Sequence, residues 1–150
     1  MLLRRERAMT AVAITLDVAF HATREETVGG AEIAERLGQA RRGIEPVLQA
    51  LSRAGVLESV RGPRGGYRLG RPRRDLRVAD IVRAALDVGP DAGGEPPAGR
   101  LQAAVVVPLW AEMEALCEQH LAGLTVEDLL RRAAAAGVRR PVAEPLNFAI

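Results

Sequence analysis

The chain contains no lysine: apart from histidine, its 21 basic side chains are all arginine. Codon bias produces such a pattern, so the placement of the arginines informs more than their number. Cysteine is nearly absent as well. With Cys117 alone, an intrachain disulfide is excluded, and a soluble cytoplasmic protein in a reducing compartment is expected. Long apolar runs are also missing. The stretch after the charged segment 1–7 is broken by Thr10, Thr15 and Asp17. It reads neither as a signal peptide nor as the roughly 18 apolar residues that cross a membrane. No glycine-rich phosphate loop follows a β-prone run, no nucleophile motif occurs, and neither His21 nor His120 sits in an acid–base constellation. The carboxylate pairs Glu25-Glu26 and Glu127-Asp128 are sequence neighbours, which point apart on a helix. An enzyme is not expected.

What is there is an uneven distribution of charge. Between Arg36 and Arg77 stand 11 arginines against Glu45, Glu58 and Asp75, a net of +8, while the remainder of the chain carries −6. That asymmetry predicts one polyanion-facing region on an acidic body. A chain of 150 residues suffices for one domain with a modest core and an appended helical element.

Hydrophobic spacing supplies the elements. From Arg5 to Ala22 it predicts a helix with Ala8, Val12, Leu16 and Ala19 on one face and Ile14 and Val18 beside it. Ala31 to Leu37 is a short helix stopped by Gly38, and Ile44 to Ala54 is another stopped by Gly55. Pro46 is expected in the first turn of the latter, where its missing N–H removes no hydrogen bond; this sets the start near residues 43–45. The spacing of Ile33, Ala34, Leu37, Gly38, Ile44 and Val47 is that of a helix-turn-helix, with small Ala34 admitting the second helix and Gly38 permitting the bend. Val56–Val60 and Tyr67–Leu69 are β-prone runs joined by three glycines and a proline. They predict a tight hairpin in which Gly65 and Gly66 take positive φ and from which Arg61, Arg64 and Arg68 project. A basic hairpin directly after a helix-turn-helix makes a winged helix-turn-helix.

Downstream, Gly70 to Arg77 reads as a connector, Val78 to Leu86 as an amphipathic helix, and Asp87 to Gly99 as a flexible loop by composition. Leu101 to Leu121 predicts a long helix in which Pro108 either makes a kink or begins the main part. Thr125, with Asp128 at the capping-box position, starts a last helix running to about Ala136. The expected fold is therefore mainly α with a small β-hairpin. A winged helix-turn-helix domain covers 1–86, a loop 87–99, a long C-terminal helix and a short helix 100–137, and a tail 138–150.

Three strings carry a resemblance: Ala31-Glu-Ile-Ala-Glu-Arg36, Ile44-Glu-Pro-Val-Leu-Gln-Ala-Leu-Ser-Arg-Ala-Gly55, and Val60-Arg-Gly-Pro-Arg-Gly-Gly-Tyr67-Arg-Leu69. With Leu109-Trp110 and Leu124-Thr125-Val126-Glu127-Asp128-Leu129, they span nearly everything but the tail. The chain resembles the Rrf family of bacterial winged-helix regulators, and the arginine-glycine-proline-x-glycine-glycine-tyrosine string is its most specific mark. The resemblance implies a homodimeric transcription regulator, read here as a repressor, on double-stranded DNA with a near-palindromic operator. It implies that the long helix crosses the partner's copy, with Leu109, Trp110, Met113, Leu116 and Cys117 facing the other subunit. An apolar stripe too long for a small domain's own core supports that.

The candidate DNA contacts follow from the same architecture. Arg42 and Glu45 would face base edges from the start of the Ile44–Ala54 helix, and the resemblance also implies a base-reading glutamate at Glu45. Arg41, Gln49 and Arg53 would hold phosphates or lie beside the groove. Arg61 and Arg64, on a wing shaped by Gly65 and Gly66, would follow the minor groove, and Arg4 and Arg5 are further phosphate candidates. Tyr67 is expected to pack the hairpin onto the helices. The rival is a winged-helix adaptor that binds protein through an apolar second helix, but Arg41, Arg42, Glu45 and Gln49 make that face polar.

One departure matters. Cluster-binding members carry three cysteines between the helix after the wing and the long helix, and residues 87–107 contain none. An iron–sulfur cluster needs three or four protein ligands, so a member without cofactor or metal is expected. Cys117 and His120, one turn apart, are expected to be a partly buried structural cysteine and a surface histidine. The signal is left open among a small-molecule effector near the dimer helices, Cys117 oxidation, partner contact and no signal at all.

Overall fold

The computed structural model describes residues 4–87 and 99–139. Most of the loop expected over 87–99, and the tail from 140 onwards, lie outside the described residues. Helix α1 spans Arg5–His21. Its buried face is Ala11, Ile14, Thr15, Val18 and Ala19, while Ala8, Val12 and Leu16 are only half-buried. The expected face is thus rotated. The helix is apolar on several sides, so spacing alone does not select one, and Thr15 can turn inward because its hydroxyl donates to the Ala11 carbonyl at 2.8 Å.

Helices α2 (Gly30–Arg36) and α3 (Arg41–Arg53) form the helix-turn-helix. Asp17 on α1 accepts two 2.8 Å bonds from the Arg36 guanidinium, tying α2 to α1. α3 begins earlier than Pro46 suggests, with Ala40 extended as its N-cap, so the proline lies in the second turn. There it costs only the bond to the Arg42 carbonyl, and the exposed stretch Arg41–Gly43 leaves that carbonyl to water.

Strands β1 (Leu57–Val60) and β2 (Gly66–Leu69) pair antiparallel, with Leu57 opposite Leu69 and Val60 opposite Gly66. The outer edge of β2 is covered by Val28, which exchanges 2.9 and 2.8 Å backbone bonds with Tyr67. The hairpin is therefore rooted in the domain rather than free-standing. Helix α4 (Val78–Leu86) follows and buries Val78, Ala79, Ile81, Val82 and Ala85. Ile14, Ile33, Ile44, Leu48, Leu51, Leu57, Leu76 and Ile81 are fully buried at the centre of one core. Each such side chain contributes roughly 1.5–3 kcal/mol by leaving water.

The chain from Arg100 to Ala122 is one continuous helical rod with a change of pitch inside it. Gln102–Val106 is π-helical, the Val107 N–H donating to the Gln102 carbonyl, and helix α5 (Val107–Ala122) begins with Pro108 in its first turn. The wider turn and the proline coincide, as expected where a residue without an N–H enters a helix. Helix α6 (Val126–Ala135) has the predicted capping box. Asp128 N–H donates to the Thr125 hydroxyl at 3.2 Å, and Thr125 N–H donates to the Asp128 carboxylate at 2.9 Å. Backbone bonds from Val126 to Leu76 and from Val78 to Leu124, both 2.9 Å, return the chain to the winged core, where Val126 is fully buried.

Candidate nucleic-acid interface

The candidate reading end is the first turns of α3. Burial of Ile44, Val47, Leu48 and Leu51 fixes one side of that helix in the core, which turns Arg41, Arg42 and Gln49 out to solvent and leaves Glu45 half-exposed. Arg41 Nε stands 3.8 Å from a Glu45 carboxylate oxygen, a loose pair across one helical turn. Gln49 is one turn further along. The four residues form one polar face without an exposed large apolar side chain among them. An adaptor docking through an apolar α3 finds no such surface here.

The wing tip lies over residues 61–65, where Arg61 and Arg64 are exposed. The glycine that makes the reversal is Gly62, at φ 117°; Gly65 and Gly66 do not have positive φ. Their role is space. A Cβ on Gly65 would sit 2.5 Å from the Val60 carbonyl oxygen, and one on Gly66 would sit 2.5 Å from that of Val28. Three strands of backbone meet there, and only residues without side chains fit. The tip is steadied by Gly65 N–H donating to the Gly62 carbonyl at 2.9 Å and by the Thr27 hydroxyl donating to the Arg64 carbonyl at 2.8 Å.

Arg68 does not project with the other wing arginines. It faces Glu58 across the strands, donates to both carboxylate oxygens at 2.9 and 3.0 Å, and reaches the Arg24 carbonyl at 3.1 Å. The hydrogen bond from Arg68, with its charge, holds the Glu58 carboxyl below its ordinary range. Arg4 is likewise engaged by the fold: its guanidinium donates to the Leu86 carbonyl at 2.5 Å, complementing the C-terminal end of α4. Arg5 beside it is exposed. Arg42, Arg53, Arg61, Arg64 and Arg77 have no acidic partner among the described residues. Three of these five stand at the candidate reading end and the wing tip, so most of the unpaired charge of the basic segment falls there.

Tyr67 is the residue that sequence reasoning placed only as packing. It does pack, lying against Gly30 and the core. Burial also pushes its phenol above the ordinary value, with the Glu45 carboxylate adding to the push and Arg41 opposing it. Glu45 and Arg41 on α3 thus lie within electrostatic range of the phenol. Thr27 and Val28 were also missed. Both lie in a polar stretch with no periodicity, and only the tertiary fold brings them to the wing.

The second candidate surface is α5. None of its residues is buried: Leu109, Trp110, Met113 and Leu116 are 52%, 42%, 41% and 66% exposed. Cys117 is exposed rather than partly buried, because none of the described residues covers that face of α5. Helix α5 touches the winged domain through α4, where the Arg83 guanidinium bonds Glu118. No three His, Cys, Asp or Glu side chains converge among the described residues. With one thiolate in the sequence, on the open side of α5, the donor set does not fit a cysteine-ligated cluster. No described helix is long and apolar enough to cross a membrane.

Comparison with known proteins gives this geometry a family. Residues 5–132 match the family described as Rrf2, iron-dependent transcriptional regulator. The chain is 35% identical over 124 residues to the HTH-type transcriptional regulator IscR of Photobacterium profundum, a match covering 81% of this chain and 71% of that protein. It is 32% identical over 124 residues to the IscR of Vibrio campbellii, covering 81% and 73%. Among solved structures it is similar to T. potens IscR, with TM-score 0.68, 29% identity and 90% of each chain covered. It is also similar to CymR, the global cysteine regulator of B. subtilis, with TM-score 0.64, 25% identity, and 84% of this chain and 94% of that one covered. A chain whose described residues form six α-helices, with a rooted, arginine-tipped wing behind a polar α3 face, belongs, on these matches, to the Rrf2 family of transcriptional regulators.

Proposed function

We propose that the protein is a cytoplasmic homodimeric repressor that binds a near-palindromic operator in double-stranded DNA and carries no iron–sulfur cluster. The observation that supports this best is the pairing of a polar α3 face with a wing whose tip arginines, Arg61 and Arg64, lack acidic partners among the described residues. Two copies of α3 would enter successive major grooves, about 34 Å apart along the duplex. Arg42 would reach guanine or phosphate. Glu45, held loosely by Arg41, would accept from a cytosine amino group, while Arg41 and Gln49 take the flanking phosphates. Arg61 and Arg64 would follow the adjacent minor groove.

The homodimer rests on α5. An apolar helix with no buried residue needs a partner, and a symmetric copy supplies the same surface in return. Leu109, Trp110, Met113, Leu116 and Cys117 would form that seam. Absence of a cluster rests on the donor count. Selection of bound fragments from promoter DNA by the purified protein, followed by footprinting, tests the reading. Two protected half-sites one turn apart are expected, and retention of all fragments alike would overturn sequence-specific binding. Protein purified without air is expected to be colourless, and visible charge-transfer absorption would overturn the cluster-free part.

A further inference from the structure

An open groove of about 1030 Å³ lies at the base of the wing. It runs between the end of α1, the base of the wing, the connector after β2 and the start of α6, within the size range of small-molecule sites. Its floor is apolar, with Ala19, Ala22, Leu69 and Pro72. Its walls hold five arginines and one carboxylate: Arg24, Arg68, Arg71, Arg73, Arg74 and Glu127. Two of the arginines are neutralised, Arg68 by Glu58 and Arg73 by Glu127 at 2.5 Å. Of the rest, Arg24 has no acidic partner among the described residues, while Arg71 and Arg74 form loose ion pairs with Asp80 at 3.7 Å and Asp75 at 3.9 Å, Asp80 being shared with Arg83.

The position of the groove argues against DNA as its occupant. Gly70 on its rim backs onto Gly55, which ends α3, its N–H bonding Val56 at 2.9 Å. The groove therefore sits at the C-terminal end of the recognition helix, about 18 Å along its axis from Arg41 at 1.5 Å per residue. The wing tip is likewise at the far end of the strands. One unpaired and two loosely paired guanidinium forks beside apolar side chains suit an anion with a carbon body.

We propose that this groove binds a small organic polyanion, a compact carbon skeleton bearing two or more carboxylate or phosphate groups. Arg24, Arg71 and Arg74 supply the charge, and the alanine and proline floor takes the skeleton. Because the groove borders both Arg68 at the wing base and the Arg73–Glu127 pair on α6, an occupant competes with Glu58 and Glu127 for their arginines. That contact is where binding reaches the wing.

The proposal stands apart from the DNA reading, and its first test uses no DNA. The full chain is titrated calorimetrically with citrate, with fructose 1,6-bisphosphate and with inorganic phosphate. At least one of the organic anions is expected to saturate one site per chain, with phosphate alone binding more weakly. Arg24→Ala and Arg74→Ala are each expected to weaken that binding about tenfold, the loss of a charge-assisted hydrogen bond. Arg100→Ala, which removes the same charge elsewhere, is expected to leave it unchanged. No saturable organic-anion binding overturns the proposal, and so does an equal loss in Arg100→Ala, which marks a general charge effect. Loss of duplex affinity in Arg24→Ala and Arg74→Ala without organic-anion binding also overturns it, marking a track for DNA phosphates instead.

Discussion

Helices α4 and α5 follow one another in the chain and draw on the same apolar residues, yet α4 buries five side chains and α5 buries none. Helix α4 completes a core begun by α1, α2 and α3, and its exposed side ends in Asp80 and Arg83. Helix α5 carries leucine, tryptophan, methionine and valine at positions where a monomer gains nothing from them. The difference separates two uses of hydrophobicity: α4 stabilises the fold, and α5, under the proposed dimer, would supply an interface. Removing apolar atoms from each helix distinguishes the uses.

The largest effect is expected in the core. Ile81→Ala removes a fully buried side chain and should cost about 2–5 kcal/mol of unfolding free energy, read from urea denaturation. Trp110→Ala on α5 should leave the stability of dilute protein within about 0.5 kcal/mol. It should instead weaken self-association by about thirtyfold in sedimentation velocity, the mark of an aromatic hot spot. If Trp110→Ala destabilises dilute protein as much as Ile81→Ala, then α5 packs within its own chain and the contrast between the two helices fails.

A second contrast, between the wing tip and the wing base, predicts smaller effects. Arg64→Ala at the tip should lower operator affinity and reduce the salt slope by about 1, measured by fluorescence anisotropy from low to high salt. Glu45→Ala should relax base preference at one operator position while changing overall affinity less. Equal loss across all sequences for Glu45→Ala would assign it to positioning rather than reading.

How far these features can be read in the sequence differs by region for physical reasons. Local chemistry was plain. The capping box at Thr125, the extent of α4 and the hairpin all follow from residues within a few positions of one another. Features set by distant contacts were not. The rotated face of α1 depends on a Thr15 hydroxyl satisfied by its own helix, and the start of α3 depends on water reaching the Arg42 carbonyl. Of the arginines expected to contact DNA, Arg42, Arg61 and Arg64 have no acidic partner among the described residues and Arg4 is held by the Leu86 carbonyl, while the wing arginine Arg68 is held by Glu58. Charge counting cannot separate those classes, because every arginine counts alike until its partner is known. The glycine-rich turn was recognised for its glycines, but the strained φ belongs to Gly62 while Gly65 and Gly66 serve close approach.

The next prediction returns to α6, which joins the two halves. Thr125→Ala removes the hydroxyl arm of the capping box and should cost about 1 kcal/mol in thermal unfolding. A cost near zero would mean that burial of Val126, rather than the cap, holds α6 on the core.

The smallest effect concerns pH and the wing base. Arg68 keeps the Glu58 carboxyl below its ordinary value, first through the hydrogen bonds and then through charge. A carboxyl whose folded pKa is depressed stabilises the fold above its unfolded pKa, about 4.3 for glutamate, and loses that contribution as pH falls through the folded value. The pair is exposed, so solvent screens it and the effect is small. The stability gap between the native chain and Arg68→Ala should therefore be constant near neutrality and close on acidification below about pH 4. Salt should narrow it at neutral pH as well. A gap that persists at acid pH would mean that Arg68 holds the wing through its bond to the Arg24 carbonyl instead, and the base of the wing would then rest on backbone geometry, as its tip does.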